Sequence, residues 1–126
     1  MIGSTRAVQV HAYGVPVDLR KGFDGLCALV RDELRKDPLA GDLFLFVGRD
    51  RHRAKVLLWD GTGLCIFAKR LEQGRFACLW REEGQSPLRL TLSELQLFLE
   101  GSTLVGRLPL SPPSYTQKTL ASFIQR

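Results

Sequence analysis

At 126 residues, with 44% hydrophobic and 25% charged side chains, the chain has the length of one domain able to enclose a core and the composition of a globular protein. No apolar run nears the roughly 20 residues that span a bilayer, and the opening MIGSTRAVQVHAYG lacks the apolar block of a signal peptide, so a cytoplasmic protein without a membrane partner is expected. The net charge of +5 is confined: between Arg49 and Arg81 eight basic residues face three acids, while the other 93 residues balance ten against ten, the distribution of a polyanion footprint.

Residues 7 to 13, AVQVHAY, alternate apolar and polar side chains and predict a first strand, closed by the turn-prone GVP. After Asp18, the residues Phe23, Leu26, Val30 and Leu34 recur at three- and four-residue spacing, which predicts an amphipathic helix over 23 to 36. Gly22 and Gly25 weaken its first turn by about 1 kcal/mol each relative to Ala, which moves the expected start toward Asp24. Pro38 disfavours helical geometry at Asp37 and sets the stop. Three short runs follow, DLFLFVG (42–48), RAKVLLW (53–59) and GLCIFAK (63–69), rich in β-branched and aromatic residues and separated by RDRH and DGTG. They read as two successive hairpins. Asp60-Gly61 tolerates the positive φ angles of a tight turn, and the continuous LFLFV is the most buried strand.

RLEQGRFACLW then leads through a polar loop, REEGQSP, to LTLSELQLFLEG. There Thr91 and Glu94 have capping-box spacing, Leu92, Leu95 and Phe98/Leu99 share a face, and Gly101 ends the helix. From Arg107 the sequence holds three of the six prolines and no acid, which predicts an extended basic tail over 107–126. The expected whole is one α+β domain over 1–106: a small, mainly antiparallel sheet with one longer helix packed on a face and a short C-terminal helix.

The basic segment is the feature with chemical content. Arg49, Arg51, Arg53 and Lys55 share a parity, so in an extended strand their side chains project from one face roughly 6 to 7 Å apart, and Trp59 continues that face as a stacker for a base or sugar. Lys69, Arg70 and Arg75 join this patch only if the hairpin register turns them the same way, since a one-residue change around DGTG moves Lys69 to the other face. A bland reading stands beside the nucleic-acid one: a solvated basic loop with Trp59 in the core, and Glu72 paired with Arg75 or Lys69. Enzyme readings are weaker. Asp18, Asp24, Asp60 and Glu72 are conceivable metal-binding carboxylates, yet helix capping accounts for the first two and a turn for the third. The chain carries no G-x-S-x-G, Walker or H-E-x-x-H motif. Cys27, Cys65 and Cys78 form no C-x-x-C pair, and His11 and His52 lie at no metal-binding spacing, so no catalysis, metal or cofactor is expected.

DLRKGFDGL (18–26), LFLFVGRDRHRAKVLLWDGTGLCIFAKRLEQGRF (43–76) and LTLSELQLFLEG (90–101) resemble the three blocks of the TnpB accessory proteins, the second open-reading-frame products of insertion-sequence elements of the sixty-six type. Arg20 to Gly25 match the first motif; Lys55, Trp59, Asp60, Gly61 and Gly63 the second; Lys69, Arg70, Glu72, Gly74, Arg75 and Phe76 the third. After Phe76, ACLWREEGQSP departs from the family's Trp-Pro ending. The resemblance implies a non-catalytic accessory role in transposition beside a separate transposase that carries the catalytic acids. With the charge distribution, it gives the expectation that Arg49, Arg51, Arg53, Lys55, Trp59, Lys69, Arg70 and Arg75 bind DNA at element ends. The alternative is a protein-interaction module docking onto the transposase without touching DNA, anchored by Phe23, Trp59, Phe67 or the tail.

Overall fold

The computed structural model describes residues 7–80 and 88–101. The expected polar loop at 81–87 and the tail at 107–126 lie outside the described residues. The elements are β1 (Val10–Ala12), α1 (Phe23–Asp32), β2 (Leu43–Val47), β3 (Arg53–Trp59), β4 (Leu64–Arg70), β5 (Leu88–Leu90) and α2 (Leu92–Leu99). They form a five-stranded sheet in the order β4-β3-β2-β1-β5. Both expected hairpins are present, β2 pairing with β3 and β3 with β4. β1 enters by another route: it runs parallel to β2 with α1 in the connection, and antiparallel to β5. The α+β architecture with a mainly antiparallel sheet therefore holds, with one parallel pair inside it.

The alternation of side chains divides the core into two layers. Val10, Ala12, Leu45, Val47, Ala54 and Val56 pack under Leu95 and Phe98 of α2 and under Phe76 and Leu79 of the irregular strap 71–80. Phe44, Phe46 and Leu57 point the other way, against Leu26, Cys27 and Val30 of α1. β2 is buried on both faces, which is why LFLFV shows no polar alternation.

α1 begins at Phe23 behind Gly22, which makes no side-chain cap, and ends at Asp32, four residues short of the expected 36. The cause is local. Arg35 takes a left-handed φ of 57°, and the N–H groups of Leu34 and Lys36 close back on the carbonyls of Leu29 and Val30 before Pro38 is reached. Asp18 does not cap the helix; its carboxylate accepts the backbone N–H of Arg20 at 3.0 Å. A buried polar pair was not anticipated. His11 stacks on Phe44 at 5.3 Å, and its Nε2 lies 3.1 Å from Asp42 Oδ2. Burial pulls the His11 pKa down, against the opposing pull of Asp42.

α2 carries the capping box read from the sequence: Thr91 Oγ1 accepts from the Glu94 N–H at 3.0 Å, and Glu94 Oε1 accepts from the Thr91 N–H at 2.8 Å. The other carboxylate oxygen of Glu94 is buried with no partner among the described residues. Burial pushes this carboxyl above its usual range, although the Thr91 hydrogen bonds oppose it. A raised folded-state pKa means that the folded protein holds the extra proton, so stability falls as pH rises through that value. Glu94→Gln keeps an acceptor for Thr91 and removes the charge. It is expected to melt above the wild type at neutral pH and to lose the part of the pH dependence in thermal unfolding that lies above the ordinary glutamate range.

Candidate nucleic-acid interface

The turn between β3 and β4 decides the register. Asp60 Oδ1 accepts the N–H groups of Thr62 and Gly63, each at 2.9 Å, and Gly61 adopts a φ of 104°. Those backbone hydrogen bonds hold the Asp60 carboxyl down at about 2. The turn contacts are present above the ordinary aspartate range and are released as pH falls toward 2. With the turn spanning Asp60 to Gly63, Arg53 lies opposite Arg70, Lys55 opposite Ala68, and Ala54 opposite Lys69. Arg53, Lys55 and Arg70 therefore share the face of Leu57, which is the α1 face.

At the other end of β3, residues 48–52 form a tight turn. The Arg51 N–H donates to the Gly48 carbonyl at 2.9 Å, Asp50 Oδ1 accepts from the His52 N–H at 3.0 Å, and Arg51 takes a left-handed φ of 62°. This turn breaks the simple parity of RDRHRAK, and strand geometry begins only at Arg53. The turn grips the strap that follows β4: Leu71 N–H donates to the His52 carbonyl at 2.8 Å and Phe76 N–H to the Arg51 carbonyl at 2.7 Å. Arg51 Nη1 donates to the Phe76 carbonyl, and His52 Nδ1 lies 3.0 Å from the Gly74 carbonyl. The two basic segments thus meet backbone to backbone.

Two shallow grooves run over this region. Asp18, Leu19, Arg20, Arg49, Asp50 and Arg53 line the first, and Leu19, Arg53, Lys55, Ala68, Lys69 and Arg70 the second. Leu19 and Arg53 belong to both, so the surface is continuous from Arg49 to Arg70. Lys55 donates its Nζ to the Lys21 carbonyl at 3.0 Å, which ties β3 to the approach to α1. Arg20 forms a forked ion pair with Asp18, Nη2 to Oδ2 at 2.7 Å and Nε to Oδ1 at 3.0 Å. The Arg20 guanidinium holds the Asp18 carboxyl well below its usual range. Arg70 Nε reaches Glu72 Oε2 at 3.2 Å, an exposed pair contributing about 0–1 kcal/mol. Among the described residues no carboxylate pairs with Arg49, Arg53 or Lys55.

Of the eight residues expected to bind DNA, Arg49, Arg53, Lys55 and Arg70 line this continuous surface, and Lys69 does so without its ammonium. Arg51 is half-buried and engaged with the strap, and Arg75 is exposed on the strap next to Gly74. Trp59 is half-buried at the far end of the hairpin, four residues and about 13 Å beyond Lys55. The Lys69 ammonium lies on the opposite face, where it donates to the Leu99 carbonyl at the C-terminus of α2 at 2.7 Å. A cation there offsets the negative end of the helix dipole. Lys69→Met removes that hydrogen bond and is expected to lower stability by about 0.3–1 kcal/mol, measurable by urea unfolding. Sequence reasoning missed Arg20 as part of this surface. Its signal was the first family motif, whose loop packs beside the basic hairpin. The carboxylates weighed as a metal site do not converge: among the described residues no three His, Cys, Asp or Glu side chains could hold an ion. No described helix is long and apolar enough to cross a membrane.

The model of the family described as "IS66 Orf2 like protein" matches residues 8–107, a span containing all three sequence blocks. Among curated proteins the chain is 35% identical over 116 residues to "Uncharacterized protein y4jC" of Sinorhizobium fredii (strain NBRC 101917 / NGR234), covering 90% of this chain and 97% of that protein. It is 36% identical over 101 residues to "Uncharacterized protein y4hO" of the same strain, covering 80% and 86%. No solved structure matches the chain. The chain belongs to the IS66 Orf2-like family, the accessory proteins of insertion-sequence transposition.

Proposed function

We propose that the protein is a non-catalytic DNA-binding accessory factor that assists a separate transposase at the ends of the mobile element. Phosphates would lie along the surface from Arg49 through Arg53 and Lys55 to Arg70, with Arg20 at its rim. The observation that carries this reading is the placement of Arg53 directly opposite Arg70. The neighbouring pair, Leu71 with His52, is hydrogen-bonded, so Arg53 and Arg70 occupy a non-hydrogen-bonded position, where opposed side chains come closest. Like charges so placed cost stability. Glu72 relieves only Arg70. A phosphate between the two guanidinium groups would turn this repulsion into a two-sided attraction, the kind of local conflict that functional sites retain. Purified protein is expected to retard element-end duplex DNA at low ionic strength and to release it as salt rises. A protein that leaves the duplex unshifted at low salt would be no direct DNA binder.

A protein-docking role is the second reading, favoured by the half-exposed Phe23 at the start of α1. In that case transposase capture would survive nuclease treatment and be lost on charge reversal at Arg70 and Arg75.

A further inference from the structure

The sheet ends on two unlike edges. β5 is three residues long with Arg89 at its centre, whereas β4 runs for seven residues, Leu64–Arg70. Natural sheets blunt an exposed edge by shortness, charge, proline or a bulge, because unpaired N–H and C=O groups are a template for another strand. β5 uses the first two of these devices, and residues 64–68 of β4, LCIFA, use none.

The ladder fixes which groups face outward. Asp60 N–H donates to the Gly63 carbonyl at one end and Leu71 N–H to the His52 carbonyl at the other, and bonded and non-bonded pairs alternate between them. Cys65, Phe67 and Lys69 therefore turn their backbone groups toward β3. Leu64, Ile66, Ala68 and Arg70 turn theirs away from the sheet, where no described strand meets them.

We propose that this edge is a homodimer interface, in which β4 pairs antiparallel with β4 of a second copy about a two-fold axis at Phe67. The outward-facing set is symmetric about that residue: Leu64 pairs with Arg70 of the second copy and Ile66 with Ala68, so every outward group is satisfied in one register. Phe67, 50% exposed in the single chain, then sits in a non-bonded position opposite its own copy, where the two rings cover each other. Charge selects the direction. The exposed Asp60 turn lies at one end of β4 and Arg70 at the other, so antiparallel pairing sets the basic end beside the acidic one, while parallel pairing would stack Arg70 on Arg70. Directly opposed residues share a face, so both α1 layers fall on one side of a ten-stranded sheet. The two Arg70 residues are then about 20 Å apart along the strand. The dimer rests on the edge geometry alone and stands whether or not the basic surface binds DNA.

Sedimentation over a concentration series, with two variants at the axis, tests this. The wild type is expected to dimerise with rising concentration. Phe67→Lys is expected to weaken the dimer by about tenfold or more, because it removes the central aromatic pair and sets like charges at the axis, with thermal unfolding showing a folded monomer. Phe67→Cys, in a Cys65→Ser, Cys78→Ser background, is expected to form a covalent dimer on mild oxidation. A control with Phe67 and only exposed Cys78 restored should not, because non-bonded antiparallel positions have the Cα spacing a disulfide needs. A chain that stays monomeric across the series, or a dimer that ignores Phe67→Lys and is not trapped through Phe67→Cys, would overturn the proposal.

Discussion

Reversing both arginines, Arg53→Glu with Arg70→Glu, is expected to weaken DNA binding at least about thirtyfold while lowering stability by no more than about 1 kcal/mol. In water a cation 4 Å from a phosphate contributes about 1 kcal/mol, so a reversal that removes attraction and adds repulsion costs about 2 kcal/mol, and two cost about 4. Screening at about 0.1 M salt brings this to roughly 2 kcal/mol or somewhat more, which is the thirtyfold. Stability should fall by no more than about 1 kcal/mol, because two opposed glutamates repel as two opposed arginines do and only the exposed Arg70–Glu72 pair is lost. The single reversal Arg53→Glu separates the two effects. It creates a cross-strand ion pair with Arg70 and should stabilise the hairpin by about 0.2–1 kcal/mol while still weakening DNA binding. Fluorescence anisotropy and urea unfolding on the same preparations check both. A single variant that loses stability and affinity together would place Arg53 in the architecture and not in the interface.

Phe76→Ala is expected to cost about 3–5 kcal/mol of unfolding free energy, a large part of the roughly 5–15 kcal/mol typical of a domain. Phe76 is fully buried and stacks on Phe98 of α2 with ring centroids 5.0 Å apart and planes 9° from parallel. The ring joins the strap to the face of the sheet formed by Leu45 and Val56. Its backbone N–H also donates to the Arg51 carbonyl, so a detached strap would loosen the turn that positions Arg49 and Arg53. The expected signature is a lower urea midpoint with weakened DNA binding, although residue 76 is far from solvent. A decrease below about 1 kcal/mol would mean that the strap contributes little to the core.

What could be read from the chain was mostly what is local. The continuous LFLFV, the Asp60-Gly61 turn and the Thr91–Glu94 box each state their structure within a few residues, and β2, β3, β4 and α2 follow. The pairing of β1 between β2 and β5 joins segments more than thirty residues apart, and no local pattern reports it. β5, at three residues, is too short for alternation to show. The strap 71–80 has buried Phe76, Ala77 and Leu79 without regular hydrogen bonding, so its apolar residues carry no period. α1 ends early because Arg35 takes a conformation that its residue type does not announce.

The basic surface divides in the same way. Arg53 and Lys55 share a face because strands alternate, which the sequence states directly. Lys69 and Arg70 part company through a register that only the turn could fix, and Arg51 leaves the row because its φ is positive. Arg20 was passed over because the helix-approach loop that carries it lies nearly thirty residues before the hairpin.

The measurement closest to the central claim is the salt dependence of binding to element-end duplex DNA, comparing the wild type with a variant in which Arg53, Lys55 and Arg70 are all Ala. Removing one cation–phosphate interaction reduces the slope of log affinity against log salt by about 0.9 on B-form DNA, so the triple variant should bind with a slope shallower by about 2.7. Lys69→Met, whose ammonium faces α2, should keep the wild-type slope. An unchanged slope in the triple variant, or a shallower one in Lys69→Met, would contradict a DNA-binding role for this face.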